Sequence, residues 1–287
     1  MKKMSKEEYK EQQKAKVKEL SKKLEDGIVD IFESGKYKEY LDMMNTFHKY
    51  SYYNSVLIRV QCPNATKVAS YKAWEKLNRQ VKKGEKAISI FAPSFFKVKE
   101  KVKDENGDET DEEVEKQLRS FKPVAVFDYN QTEGEELPEI SRKLDELLED
   151  ADTMIYALQD ISPIDLEFVD LSSDSIYDSG SEKIFINQKN PESLIIKSMI
   201  QEIAACELRK DAGKDSLTMK IESESIAYIV SQYYSIDTSM YSFGEIAKWS
   251  GDKNIKQLKA SLNSIKKISD EIIEKLDKNM GIEPVSA

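Results

Sequence analysis

Apolar residues recur at helical spacing near the start of the chain. Val17, Leu20, Leu24, Ile28 and Ile31 fall three or four apart, which puts one apolar stripe along a helix over residues 5–34. The opposite face is charged. The same spacing predicts a second helix over 37–47, with Tyr40, Leu41 and Met44 on a common side. A third runs over 54–61 and stops before Cys62-Pro63, because the residue preceding a proline resists helical dihedrals. The period then changes. Residues 67–70 read as a brief strand, 71–78 as a turn or two of helix, and Lys82-Lys83-Gly84 as a tight connection. Residues 87–102 and 118–129 are rich in Ile, Phe and Val and partly alternate, as strands do. Between them, Asp104 to Glu115 holds eight acidic residues and no basic one, the composition of a solvated hairpin tip. The acidic, glycine-containing stretch 133–138 reads as a linker.

Beyond it a helix is expected over 141–159. Short strands follow near 166–169, 175–178 and 183–187, then helices over 191–210, 217–234, 242–249 and 254–276. These elements describe an α+β protein of two domains, 1–135 and 140–287. The first is a small mixed module with a long β-hairpin and the second is mainly helical. A length of 287 residues agrees, since it exceeds one ordinary domain.

Charged residues make up 34% and hydrophobic ones 39%, and no apolar run approaches the roughly 20 residues of a membrane span. The basic opening is followed by no apolar stretch, so it does not read as a secretory signal. Cys62 and Cys206 are the only cysteines, which suits a reducing compartment; the expected location is the cytoplasm, away from membranes. The net charge of −9 argues against a nucleic-acid partner until its distribution is read. From Lys49 to Lys103 there are 13 Lys or Arg against 3 Glu, so the remainder carries −19.

That basic segment is interleaved with Tyr50, Tyr52, Tyr53, Tyr71, Trp74, Phe91, Phe95 and Phe96. Cations for phosphates and aromatic faces for bases are the means by which proteins hold single strands with little sequence preference. Duplex readers more often show a recognition helix or a metal-stabilised finger, and neither is legible. The expected contacts are Tyr50, Tyr52, Asn54, Arg59, Gln61, Tyr71, Trp74, Arg79, Lys82, Lys83 and Lys86. The competing reading of each is structural: aromatics as core, lysines as a wet face, Asn54 and Gln61 as caps of local backbone.

The run FHKYSYYNSVLIRVQCPNATKVASYKAWEKLNRQVKKGEKAISIFAP, followed by VFDYNQT, resembles the N-terminal domain of ArdC-type antirestriction proteins. That domain is shared with plasmid primases and LtrC-like proteins of conjugative elements. The resemblance covers residues 47–132 and implies single-stranded DNA as the ligand, with host restriction or conjugation proteins as further partners. The implied role is to protect or escort a transferred strand.

The second half resembles the zincin-like metallopeptidase domain that follows this module in many such proteins. It does so through SLIIKSMIQEIAACEL and ESESIAYIVSQYYSIDTSMYSFGEIAKWS. In the active pattern, H-E-x-x-H sets two imidazoles on one helix face toward zinc, with the Glu as general base. Here those positions read Gln201, Glu202 and Ala205, with Glu224 matching the third ligand. The chain has one histidine, His48, outside this region, so a two-histidine site cannot be assembled and the domain is expected to be inactive, without metal or other cofactor. No Walker-type or dinucleotide-type glycine pattern occurs. Two rivals remain: a non-standard metallopeptidase using Glu202, Cys206 and Glu224, and an acidic DNA mimic that occupies a restriction enzyme.

Overall fold

The computed structural model describes residues 5–33, 36–47, 49–103, 109–137, 151–211, 213–236, 241 and 243–282. The architecture is α+β. The chain divides into two compact units: residues 1–25 with 57–135, and residues 26–56 with 136–287. The division falls inside α1 (Lys6–Glu33) and inside α3 (Tyr52–Gln61); α2 (Tyr37–Thr46) lies wholly in the second unit.

In the first unit, α3 leads to β1 (Val68–Ala69), α4 (Tyr71–Lys76), β2 (Arg79–Val81), β3 (Ile88–Lys103), β4 (Glu109–Asp128) and β5 (Thr132–Gly134). The Ser70 hydroxyl caps α4 by accepting from the Ala73 amide at 3.2 Å. Strand order is β1-β4-β3, with a separate antiparallel pair β2-β5. The β3–β4 ribbon runs antiparallel from Ile88 opposite Val126 out to Lys103 opposite Glu109, with a register irregularity between Lys101 and Lys103. Directly opposed residues share a face, and faces alternate along each strand. At the base, Ile88, Ile90 and Val126 lie on one face and are buried. Farther out the same face carries Phe96 opposite Leu118, both exposed.

Two expectations for this region are corrected. The strand pairing reaches into the acidic stretch, since β4 begins at Glu109; of the proposed tip, 104–108 lie outside the described residues. Glu133 and Gly134 are not linker but part of β5, opposite Gln80 and Arg79.

In the second unit, α5 (Ala151–Ile161) precedes a sheet of β6 (Asp165–Val169), β7 (Ser175–Asp178) and β8 (Lys183–Asn187). β8 is central, parallel to β6 and antiparallel to β7. Helices α6 (Glu192–Arg209), α7 (Ser216–Tyr233), α8 (Ile246–Gly251) and α9 (Ile255–Asn279) follow. The helix expected from 141 is described only from Ala151. Asp215 caps α7, and Asn254 with Gln257 forms a capping box on α9. No helix among the described residues is long and apolar enough to cross a membrane.

Residues 26–56 group with this second unit, whereas the sequence assigned them to the first domain. The reason is side-chain packing. The Tyr37 and Ser225 hydroxyls are 2.8 Å apart and buried, and Tyr228 donates to the Asp42 carboxylate. Phe32 packs on Trp249 with ring centroids 5.6 Å apart, and Tyr37 meets Phe243 edge-on at 5.4 Å. A helical stripe reports that it will be buried, not against which partner.

Candidate nucleic-acid interface

Three side chains organise the loops of the first unit, Asp128 and Arg79 buried and Gln131 half-buried. Asp128, almost fully buried, accepts the Thr66 and Lys67 amides at 2.7 and 3.1 Å and the Asn130 amide at 2.9 Å. It starts the single 3-10 turn Tyr129–Gln131. Gln131 closes that turn by accepting the Asp128 amide at 2.9 Å. Its own amide group donates to the Lys86 carbonyl at 2.8 Å and to Glu85 at 3.0 Å, which holds the 82–86 turn. Gly84 sits in that turn at φ 92°, a conformation that L side chains rarely adopt. Arg79 donates to the Thr132 hydroxyl at 2.8 Å, to the Thr132 and Gly134 carbonyls at 3.2 and 3.3 Å, and to the Glu135 carbonyl. Gly134 is required beside it, because a Cβ there would overlap the Asn78 carbonyl oxygen.

The expected contact residues therefore separate. Trp74 is fully buried and donates its indole N–H to the Phe127 carbonyl at 2.9 Å, so it offers no face for a base. Arg79 is buried, saturated by backbone acceptors, and stacked over the Tyr129 ring at 4.0 Å. Gln61 pairs with the Ser89 backbone in both directions, at 2.8 and 3.1 Å, as a strand neighbour would. Tyr52 and Asn54 are buried and group with the second unit, as does half-buried Tyr50. Trp74, Arg79, Tyr52 and Asn54 are buried, and Gln61 and Tyr50 half-buried, which leaves little of these side chains to meet a ligand. Arg59 is half-buried. Tyr71 is 48% exposed, and Lys82, Lys83 and Lys86 stand exposed on the turn that Gln131 holds. Lys82 also reaches the Asn130 carbonyl at 3.0 Å. Lys67, Lys72 and Lys76 are exposed too, on the loop pinned by Asp128 and on α4.

In the second unit, Gln201 and Ala205 lie one turn apart on α6, both half-buried. Glu202 accepts from the Ser175 hydroxyl at 2.8 Å and lies 3.8 Å from the Arg209 guanidinium. Arg209 also donates to the Cys206 sulfur at 3.3 Å and covers the Tyr177 ring at 3.8 Å. Burial pushes the Cys206 thiol up from its ordinary range. Glu224 is on α7; burial above all, with its charge adding, holds the Tyr37 and Tyr241 phenols well above their ordinary range. A zinc ion does not fit this set. An amide and a methyl replace two imidazoles, and a guanidinium occupies the neighbourhood of the remaining donors. Among the described residues no three His, Cys, Asp or Glu are placed to hold a metal.

Residues 8–127 match the family described as the N-terminal domain of anti-restriction factor ArdC. The crystal structure of antirestriction ArdC protein from the R388 plasmid, in its metal-free form, superposes with a TM-score of 0.50 at 16% identity. That alignment covers 81% of this chain and 85% of the other, and it shows the fold. The Mn(II)-bound form of the same protein aligns at 0.48 and 14% identity. An uncharacterised Bacillus anthracis protein, pXO2-81, is 27% identical over 94% of this chain. The chain spans about half the length of that relative, 53%.

The first unit also exposes aromatics absent from the expected contacts. Phe95, Phe96 and Phe121 on the β3–β4 ribbon are 59%, 46% and 52% exposed. The signal was present in the alternation of residues 91–98, but nothing in a one-dimensional pattern says that a strand will outrun its core.

Proposed function

We propose that residues 57–135 hold single-stranded DNA, and that the chain serves a mobile element by protecting or escorting a transferred strand against host restriction. The observation that carries this is the set of exposed cations Lys67, Lys72, Lys76, Lys82, Lys83 and Lys86. Asp128 holds the backbone of the 66–67 loop and Gln131 that of the 82–86 turn, while the Ser70 cap and the Trp74 indole bond to Phe127 fix α4. Preorganised cations lower the ordering cost of gripping a flexible polyanion. The match of 8–127 to the ArdC N-terminal family supports the antirestriction context. In this reading the second unit is a peptidase-related scaffold that has lost its metal chemistry. Arg209 beside Glu202 and Cys206 disfavours the rival site of Glu202, Cys206 and Glu224, since a fixed cation repels a second one.

The test is anisotropy titration with matched single and double strands. Single strands are expected to bind more tightly. For about five neutralised phosphates, log affinity falls against log salt with a slope of roughly −3.5, at about −0.7 per contact. Lys82→Glu with Lys83→Glu should flatten that slope. Duplex binding as tight as single-strand binding, or no binding of either at low salt, defeats the reading. Metal analysis of the purified chain is expected to find no stoichiometric zinc, and Gln201→His with Ala205→His should recruit it. Stoichiometric zinc in the unaltered chain would overturn the lost-metal part alone.

A further inference from the structure

The outer β3–β4 ribbon has two different faces. On one lie Phe95 opposite Arg119, Pro93 opposite Phe121, and Lys97 opposite Gln117. Arg119 stacks 5.2 Å from the Phe121 ring centre, and Lys97 pairs with Glu115 at 2.8 Å. Phe95 and Phe121 are diagonal neighbours on this face, a relation that sets Cα atoms roughly 7–8 Å apart. Of the charged side chains across residues 91–98 and 114–123, Lys97 and Arg119 share this face with Glu115, and Lys116 and Lys122 lie on the opposite one.

An exposed aromatic pair would ordinarily point to a protein partner or to aggregation. Three features of this face favour a nucleic acid. Its cations Lys97 and Arg119 outnumber its one acid, Glu115; the Arg119 guanidinium, a group that itself stacks on bases, lies over the Phe121 ring; and the face continues a domain whose other exposed cations suit phosphates. A duplex keeps its bases stacked on one another, whereas an unpaired base is free to enter.

Resting on the single-strand reading above, we infer that the ribbon face formed by Phe95, Phe121 and Arg119 is a base-stacking platform for single-stranded nucleic acid. The lysines of the 82–86 turn and of α4 take the phosphates. The ribbon takes the bases, and the two contributions are separable by salt.

The experiment uses the full chain and a 20-nucleotide oligothymidine carrying one 2-aminopurine, with oligouridine as a second probe. Phe95→Ala with Phe121→Ala should weaken binding about 5- to 150-fold, the range for one stacked base. The salt slope should stay unchanged, and the 2-aminopurine quenching seen with the unaltered chain should be lost. Phe95→Trp with Phe121→Trp should restore both affinity and quenching. Because both rings are exposed, the melting temperature should hold; if the double variant nonetheless unfolds, Phe95→Ala alone gives the same readings. Unchanged affinity and quenching in a folded variant, with the unaltered chain binding normally, overturns the stacking platform and leaves the domain-level reading standing. So does a variant whose only change is loss of self-association in sedimentation, which would make this face a contact between copies. An unaltered chain that binds neither probe defeats the domain-level reading, and the platform with it.

Discussion

At the scale of the residue, the sites that resemble a ligand-binding motif divide into those that make the loops and those that face water. Asp128 and Gln131 touch backbone and fix where the 66–67 loop and the 82–86 turn lie. Arg79 spends its guanidinium on three carbonyls and a hydroxyl. Trp74 is the clearest case, because an aromatic among lysines suggests stacking and this one is entirely enclosed. Trp74→Ala is therefore expected to cost about 3–5 kcal/mol in a denaturant melt, the range for truncating a buried Trp. A folded variant of near-native stability that binds single strands weakly would show instead that the indole meets the ligand.

At the scale of the element, helix ends carry a measurable pH signature. Asp215 caps α7, accepting from the Thr218 amide at 2.8 Å and hydroxyl at 2.7 Å, and Lys253 lies 2.7 Å away. The Lys253 contact first, then those with Thr218, holds the carboxyl well below the usual carboxylate range. The unfolded chain then takes up the proton at higher pH than the folded one, so stability rises with pH across the interval between the two. Asp215→Ala should lower stability by about 0.5–2 kcal/mol at neutral pH, as loss of an N-cap does. The gap in melting temperature should close progressively as pH falls below about 4. A gap independent of pH would assign the effect to something other than the ionised cap. The ribbon is the other informative element. Its inner residues are buried like any strand, and its outer ones hold the same alternation with no second layer among the described residues to cover them.

At the scale of the whole molecule, the division at residues 25/26 and 56/57 changes what a fragment should do. The sequence suggests that a fragment ending near residue 136 would stand alone. Such a fragment retains Ile28, Ile31, Phe32, Tyr37, Tyr40, Leu41 and Met44, all buried in the second unit, but lacks Ser225, Phe243 and Trp249. It is expected to bind hydrophobic dye, aggregate and melt without a cooperative transition. A fragment that melts in one sharp step would show that these helices have a second home.

What the sequence determined by itself is local or covalent. The periods of two and of three to four located nearly every described element, because each element must bury one side of its own chain. Local charge and the count of one histidine can be read without the path of the backbone, because both are properties of composition. The tertiary structure decided which buried stripe meets which partner, as with α2 against α7. It also decided which polar residues of a motif turn inward to satisfy carbonyls and amides, as with Gln61, Arg79 and Asp128. Those outcomes depend on groups far away in the chain. Burial of Trp74 needs the Phe127 carbonyl 53 residues on, and a pattern read along the chain contains no such distance.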